Sequence, residues 1–120
     1  MPVLVQPEVY QKAAAPRSHT AGATDTQVLT GIVTASRFFR LSKPIRVIER
    51  RRNGVWTCDC RRLQIHAYGQ TLQEAWRAFI EIFECDWDSV ALEKDSKLTM
   101  GARQLKQKYL EVVEAVEAVL

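Results

Sequence analysis

Long apolar runs are missing from this chain. No stretch approaches the roughly 18 consecutive apolar residues of a membrane-spanning helix, so none is expected. The first residues, Met1-Pro2-Val3-Leu4-Val5-Gln6, lack the charged and apolar regions of a secretory signal. The chain therefore reads as cytoplasmic, without a membrane partner. Cysteine is scarce too. Three residues, Cys58, Cys60 and Cys85, make an odd count without regular spacing, which argues against a secreted disulfide scaffold. Cys58-Asp59-Cys60 is C-x-C rather than the C-x2-C of a zinc knuckle, and His19 and His66 lie far apart. No metal site is expected. The thiols read as small buried core residues on a strand and a helix.

Catalytic motifs are absent as well. There is no phosphate-binding Walker loop, dinucleotide glycine fingerprint, HExxH helix or nucleophile elbow. Within the predicted strands the carboxylates are Glu49 and Asp59, and the hairpin register below puts them on opposite faces. They cannot form a paired acid/base or two-metal site. The expectation is a protein that is not an enzyme, with no cofactor.

What is present fits a single domain of 120 residues. Residues 11–26 are small and polar and cannot bury much apolar surface, so 1–26 is expected to be a flexible segment and 27–120 the domain. Residues 27–40 are rich in β-branched and aromatic types and read as one or two short strands, with Gly31 as a bend or bulge. Pro44 is expected to open the next strand, Ile45 to Arg51, since a strand's first position loses no ladder bond.

Asn53-Gly54 is the strongest local signal. A type I′ turn needs positive φ at both central residues, which Asn and Gly tolerate. A two-residue loop then pairs Arg52 with Val55, Arg51 with Trp56, Glu49 with Cys58 and Val47 with Cys60. Side chains alternate along each strand. Ile45, Val47, Trp56, Cys58 and Cys60 share the core face. Arg46, Ile48, Arg50, Val55, Thr57 and Asp59 share a half-wet face. A third strand, Leu63 to Tyr68, places His66 on its polar side with no catalytic partner in the pattern.

Gly69 ends that strand, and Thr71-Leu72-Gln73-Glu74 is a capping box for a helix. Leu72, Ala75, Trp76, Phe79, Ile80, Phe83, Trp87 and Val90 form its apolar stripe, made to lie on a sheet. Glu81, Glu84, Asp86 and Asp88 are expected to be solvated or partner-facing. Thr99 is the expected N-cap of a second helix with Ala102, Leu105, Tyr109, Val112, Val116 and Val119 on one side. Leu110, Val113 and Leu120 widen that stripe, suggesting a second contact such as a dimer mate. The fold class is thus α+β: an antiparallel sheet of three to four strands packed against two helices on one face.

Charge is uneven. Residues 1–69 carry a net +7 and residues 70–120 a net −4. Arg50-Arg51-Arg52 flanks the hairpin tip, Arg61-Arg62 the next turn, and Arg37, Arg40, Lys43 and Arg46 join them. The plainest reading is a solvated edge that resists unwanted strand pairing. A carboxylate-rich protein partner comes next, and phosphate contact with nucleic acid third. The aromatic residues read mostly as core, so no stacking platform is evident. The candidate partner-binding residues are Arg46, Arg50, Arg51, Arg52, Glu81 and Glu84.

Ile45-Arg46-Val47-Ile48, Asn53-Gly54-Val55-Trp56 and Leu63-Gln64-Ile65-His66-Ala67-Tyr68-Gly69-Gln70-Thr71-Leu72-Gln73-Glu74-Ala75 resemble the HicB-like antitoxin domain. Lys97-Leu98-Thr99, Ala102 and Leu105-Lys106 are similar to small HicB-related proteins of bacteria. The resemblance implies a truncated RNase H-like fold of order β-β-β-α-α, without RNase catalysis. It also implies a toxin–antitoxin inhibitor that acts by protein–protein interaction, with a HicA-type mRNA-cleaving toxin as partner. A homodimer is expected with it.

Overall fold

A computed structural model describes residues 24–118. Five strands and two helices follow in the order β1 (Thr24–Val33), β2 (Arg37–Arg52), β3 (Val55–Cys60), β4 (Ile65–Gly69), α1 (Leu72–Asp86), α2 (Met100–Val112) and β5 (Val113–Ala118). The strands form one antiparallel sheet ordered β1-β2-β3-β4, with β5 also paired to β2. The expected α+β class, with two helices packed on one face of an antiparallel sheet, is what the structure shows. The sheet has one strand more than expected. The expected flexible segment lies outside the described residues as far as residue 23, but Thr24 to Thr26 already belong to β1.

The hairpin follows the turn chemistry. Asn53 and Gly54 both take positive φ, 54° and 76°, and Arg52 pairs with Val55, Arg51 with Trp56 and Glu49 with Cys58. Upstream, the expectation of a strand opening at Pro44 is corrected. Strand β2 runs through the proline. Its pairing with β1 jumps from Leu29–Ile45 to Gly31–Arg40, leaving Leu41 to Pro44 opposite the single residue Thr30. On the other side, pairing with β5 ends at Leu41. Pro44 therefore sits where neither ladder needs an amide. Gly31 marks the bulge, as expected. The expected third strand also starts later than Leu63. Residues 61–64 make a tight turn, with Gln64 N donating to the Arg61 carbonyl at 3.2 Å.

Alternation puts Ile45, Val47, Cys58, Cys60, Ile65 and Ala67 on the covered face, all buried. Helix α1 lies over them. Thr71 Oγ1 accepts from the Glu74 amide at 3.0 Å, so the N-cap is as expected. The Glu74 carboxylate reaches one residue further back than a capping box predicts, to the Gln70 amide at 2.9 Å. A side chain at Gly69 would press on the backbone of Ala75 and come within 2.6 Å of Glu74 Cβ. Neither can yield, which is why the strand-to-helix junction takes glycine.

The stripe buries Ala75, Trp76, Phe79, Ile80 and Phe83. Each large side chain contributes about 1.5–3 kcal/mol through apolar burial. The helix then widens: Trp87–Ala91 forms a π-helical turn, with Leu92 N bonded to the Trp87 carbonyl at 3.1 Å.

Helix α2 starts at its expected N-cap, where Thr99 Oγ1 accepts from the Ala102 amide at 3.1 Å. It ends at Val112, not near the C-terminus. The expected helical stripe through Val116 is corrected to a strand, Val119 lying outside the described residues. The β-branched residues of Val113–Ala118 favour an extended chain. The upper half of β2 offers that segment a ladder, pairing Phe39 with Val116 and Arg40 with Ala115. Of the extra apolar residues attributed to a dimer contact, Val113 belongs to this strand, Leu110 is exposed on α2, and Leu120 lies outside the described residues.

Candidate functional site

The helices cover one face of the sheet. Among the described residues, no element packs on the other. Register defines its rows: Thr24, Arg50, Thr57 and Tyr68 stand side by side across β1 to β4. Thr26, Ile48, Asp59 and His66 form the adjacent row, and Val28 beside Arg46 the next. Three shallow recesses, of about 380, 460 and 300 Å³, run along this surface. Arg50 lines the first two, Arg61 the last two and Arg46 and Arg62 the third. Arg51 and Arg52 border the first, at the hairpin tip.

None of these six arginines makes a side-chain hydrogen bond or ion pair among the described residues. Among the described residues that line these recesses the one carboxylate is Asp59, and His66 Nδ1 engages it. The sequence pattern offered His66 no carboxylate partner, and that reading is corrected. The turn at residues 61–64 puts His66 directly opposite Asp59. The His66 ring also meets Tyr68 edge-on, with centroids 4.5 Å apart. Tyr68 is 60 % exposed. The sequence reading found no stacking platform because it counted most aromatics as core. The alternation that buries Ala67 turns Tyr68 outward, and this was the signal available.

The six sequence-derived candidates do not converge. Arg46, Arg50, Arg51 and Arg52 border the open face. Glu81 and Glu84 lie on α1, lining a separate recess with Thr34 and Ile80. Glu84 is engaged within the chain. It accepts from Arg37 Nε at 2.9 Å, from Arg37 Nη2 at 2.7 Å and from Thr34 Oγ1 at 2.9 Å. Asp88 takes two more bonds from the same guanidinium, each 2.8 Å. This lowers the Asp88 carboxyl below its ordinary 3.8, by hydrogen bonding to Arg37. Asp86, expected to be solvated, instead accepts from Tyr109 Oη at 2.9 Å. Burial raises the Asp86 carboxyl, and this hydrogen bond pulls the other way. Burial raises the Tyr109 phenol as well, helped by the Asp86 charge.

The thiols are dispersed. Cys58 and Cys60 are buried beneath α1, where loss of water raises the Cys60 thiol. Cys85 is exposed, correcting the expectation that all three are core. His66 is on the opposite face of the sheet. Among the described residues no three potential ligands gather to hold a metal. Glu49 is wholly buried and accepts from Trp76 Nε1 at 2.5 Å and from Gln27 Nε2 at 3.3 Å. It lines none of these recesses and acts as a polar tie between the sheet and α1.

Fold and surface together define an α+β protein with an open, arginine-bordered sheet face. No helix of the described residues is long and apolar enough to cross a membrane. No family model, no curated protein and no solved structure matches this chain significantly.

Proposed function

We propose that this chain is a non-catalytic binding module that holds an anionic partner on the open face of its sheet. One observation carries the reading: six arginines border one surface with no carboxylate among the described residues paired to them, while Arg37 and Arg40 are paired. Unpaired guanidinium groups repel one another and raise the local potential, so they draw in a partner of opposite sign. The recesses are wide and shallow, which suits an extended surface better than an enclosed small molecule.

Retention on immobilised heparin tests this. The triple variant Arg46→Glu/Arg50→Glu/Arg61→Glu should elute at far lower salt than a variant with three reversals on the helical side, Arg77→Glu/Lys97→Glu/Arg103→Glu. Equal losses would mean that overall charge, not this face, does the binding.

The resemblance to HicB-like antitoxins gives a second reading within the same class: an inhibitor of a small protein toxin, acting as a cytoplasmic homodimer. Val28 and Val55, exposed between the arginines, favour a protein contact. Co-purification from the native host, with sedimentation of the isolated chain, tests the toxin and the dimer separately.

A further inference from the structure

The open face also indicates what kind of anion it would hold. We infer that it binds single-stranded RNA, with phosphates against Arg46, Arg50 and Arg61 and a base on the ring of Tyr68. This rests on the binding-module reading and narrows it.

Three observations lead there. First, six arginines against one carboxylate, the His66-bound Asp59, spread positive charge along the surface, as a polyphosphate chain requires. A folded protein partner would bring a mixed surface, whereas the exposed apolar residues here are separated by arginines and form no continuous patch. Second, Tyr68 is an exposed aromatic held by the perpendicular His66 ring. Rings displayed on an open antiparallel sheet stack unpaired bases, and duplex bases are not available for this. Third, Thr57 stands between Arg50 and Tyr68 in the register. Its hydroxyl forms no hydrogen bond among the described residues. Neighbouring strands are about 4.8 Å apart, so Arg50 and Tyr68 are roughly 10 Å apart at their backbones. A nucleotide lying across β3 would put phosphate near Arg50, base on Tyr68 and ribose over Thr57. The 2′-hydroxyl of RNA would then meet the Thr57 hydroxyl, a contact that DNA lacks.

Fluorescence anisotropy on the full chain tests the inference, using one labelled sequence as single-stranded RNA, single-stranded DNA and duplex RNA. Binding should be strongest for single-stranded RNA and should weaken steeply with salt. Tyr68→Ala should weaken it about tenfold, and Tyr68→Phe should keep most of it. Thr57→Val should narrow the preference for RNA over DNA. Arg50→Ala should weaken RNA and DNA alike and reduce the salt slope by about one. Circular dichroism of each variant checks that it folds.

Equal affinity for duplex, or an unchanged Tyr68→Ala variant, would overturn the stacking arrangement and with it this inference. Equal affinity for DNA would overturn the choice of RNA. If no nucleic acid binds while heparin retention still depends on Arg46, Arg50 and Arg61, the inference fails and the anionic-partner reading stands. If heparin retention does not depend on them either, both fail.

Discussion

Strand β2 carries arginines at both ends, and the two ends use them differently. At the N-terminal end, Arg37 lies over the Phe39 ring at 5.2 Å and holds Glu84 and Asp88, while Arg40 reaches Glu117 at 3.2 Å. Those charges tie the sheet to α1 and β5. At the C-terminal end, Arg46, Arg50, Arg51 and Arg52 meet no carboxylate among the described residues. Residue type alone does not separate these groups. What separates them is which element packs alongside. The upper half of β2 runs beside α1 and β5, both acidic, whereas the lower half shows its arginines to a face that no described element covers. The paired group serves the fold, and the unpaired group is available for a ligand.

Breaking the upper half should produce the largest effects. Phe39 is buried, with its ring edge-on to Phe83 at 5.0 Å and Trp87 at 5.8 Å. Phe39→Ala should cost about 3–5 kcal/mol of stability by urea unfolding, through lost burial and the cavity left behind. Arg37→Ala should cost about 1–3 kcal/mol, because it strands two carboxylates, one of them partly buried, and removes four hydrogen bonds to them. A loss under half a kcal/mol would make that cluster merely decorative.

The lower half should behave oppositely. Thr24 faces Arg50 across the ladder, so Thr24→Glu supplies the carboxylate that this end lacks. Stability should rise by about 0.2–1 kcal/mol, while heparin retention falls. Arg50→Ala should leave stability within about 0.5 kcal/mol of wild type, as for most surface changes, and still reduce retention. If it destabilises as much as Arg37→Ala, the contrast between the two ends is lost.

The smallest effect concerns pH. The Asp88 carboxyl is depressed in the folded state by Arg37, so the unfolded chain takes up its proton first as pH falls. Its contribution to stability is present above its ordinary 3.8 and is lost as pH drops through the lower, folded value. Asp88→Asn should therefore flatten the acid limb of a stability–pH curve slightly. An identical limb in wild type and variant would show that Arg37 acts through Glu84 alone.

Local signals were readable where they act over a few residues. The Asn53-Gly54 turn set the register down to Glu49, and Thr71 and Thr99 marked helix starts through side-chain oxygens reaching three residues on. The α1 stripe followed from helical spacing, because burial on one side demands it. Signals spanning distant segments were not readable. Whether Glu84 faced solvent depended on Arg37, 47 residues away. Whether Val113–Ala118 continued a helix depended on an unfilled edge of β2. The partner of His66 depended on a turn at 61–64 that residue types did not announce.

For the arginines, then, the sequence determined number, spacing and the alternation that sends Arg46 and Arg50 to one face, because strand geometry repeats every two residues. Only the tertiary structure decided which of them are neutralised. That choice is made by long side chains meeting elements far away in the chain, and an ion pair exists only where packing brings a carboxylate within reach. The same packing left Tyr68 and the arginines of the lower sheet together on one open surface.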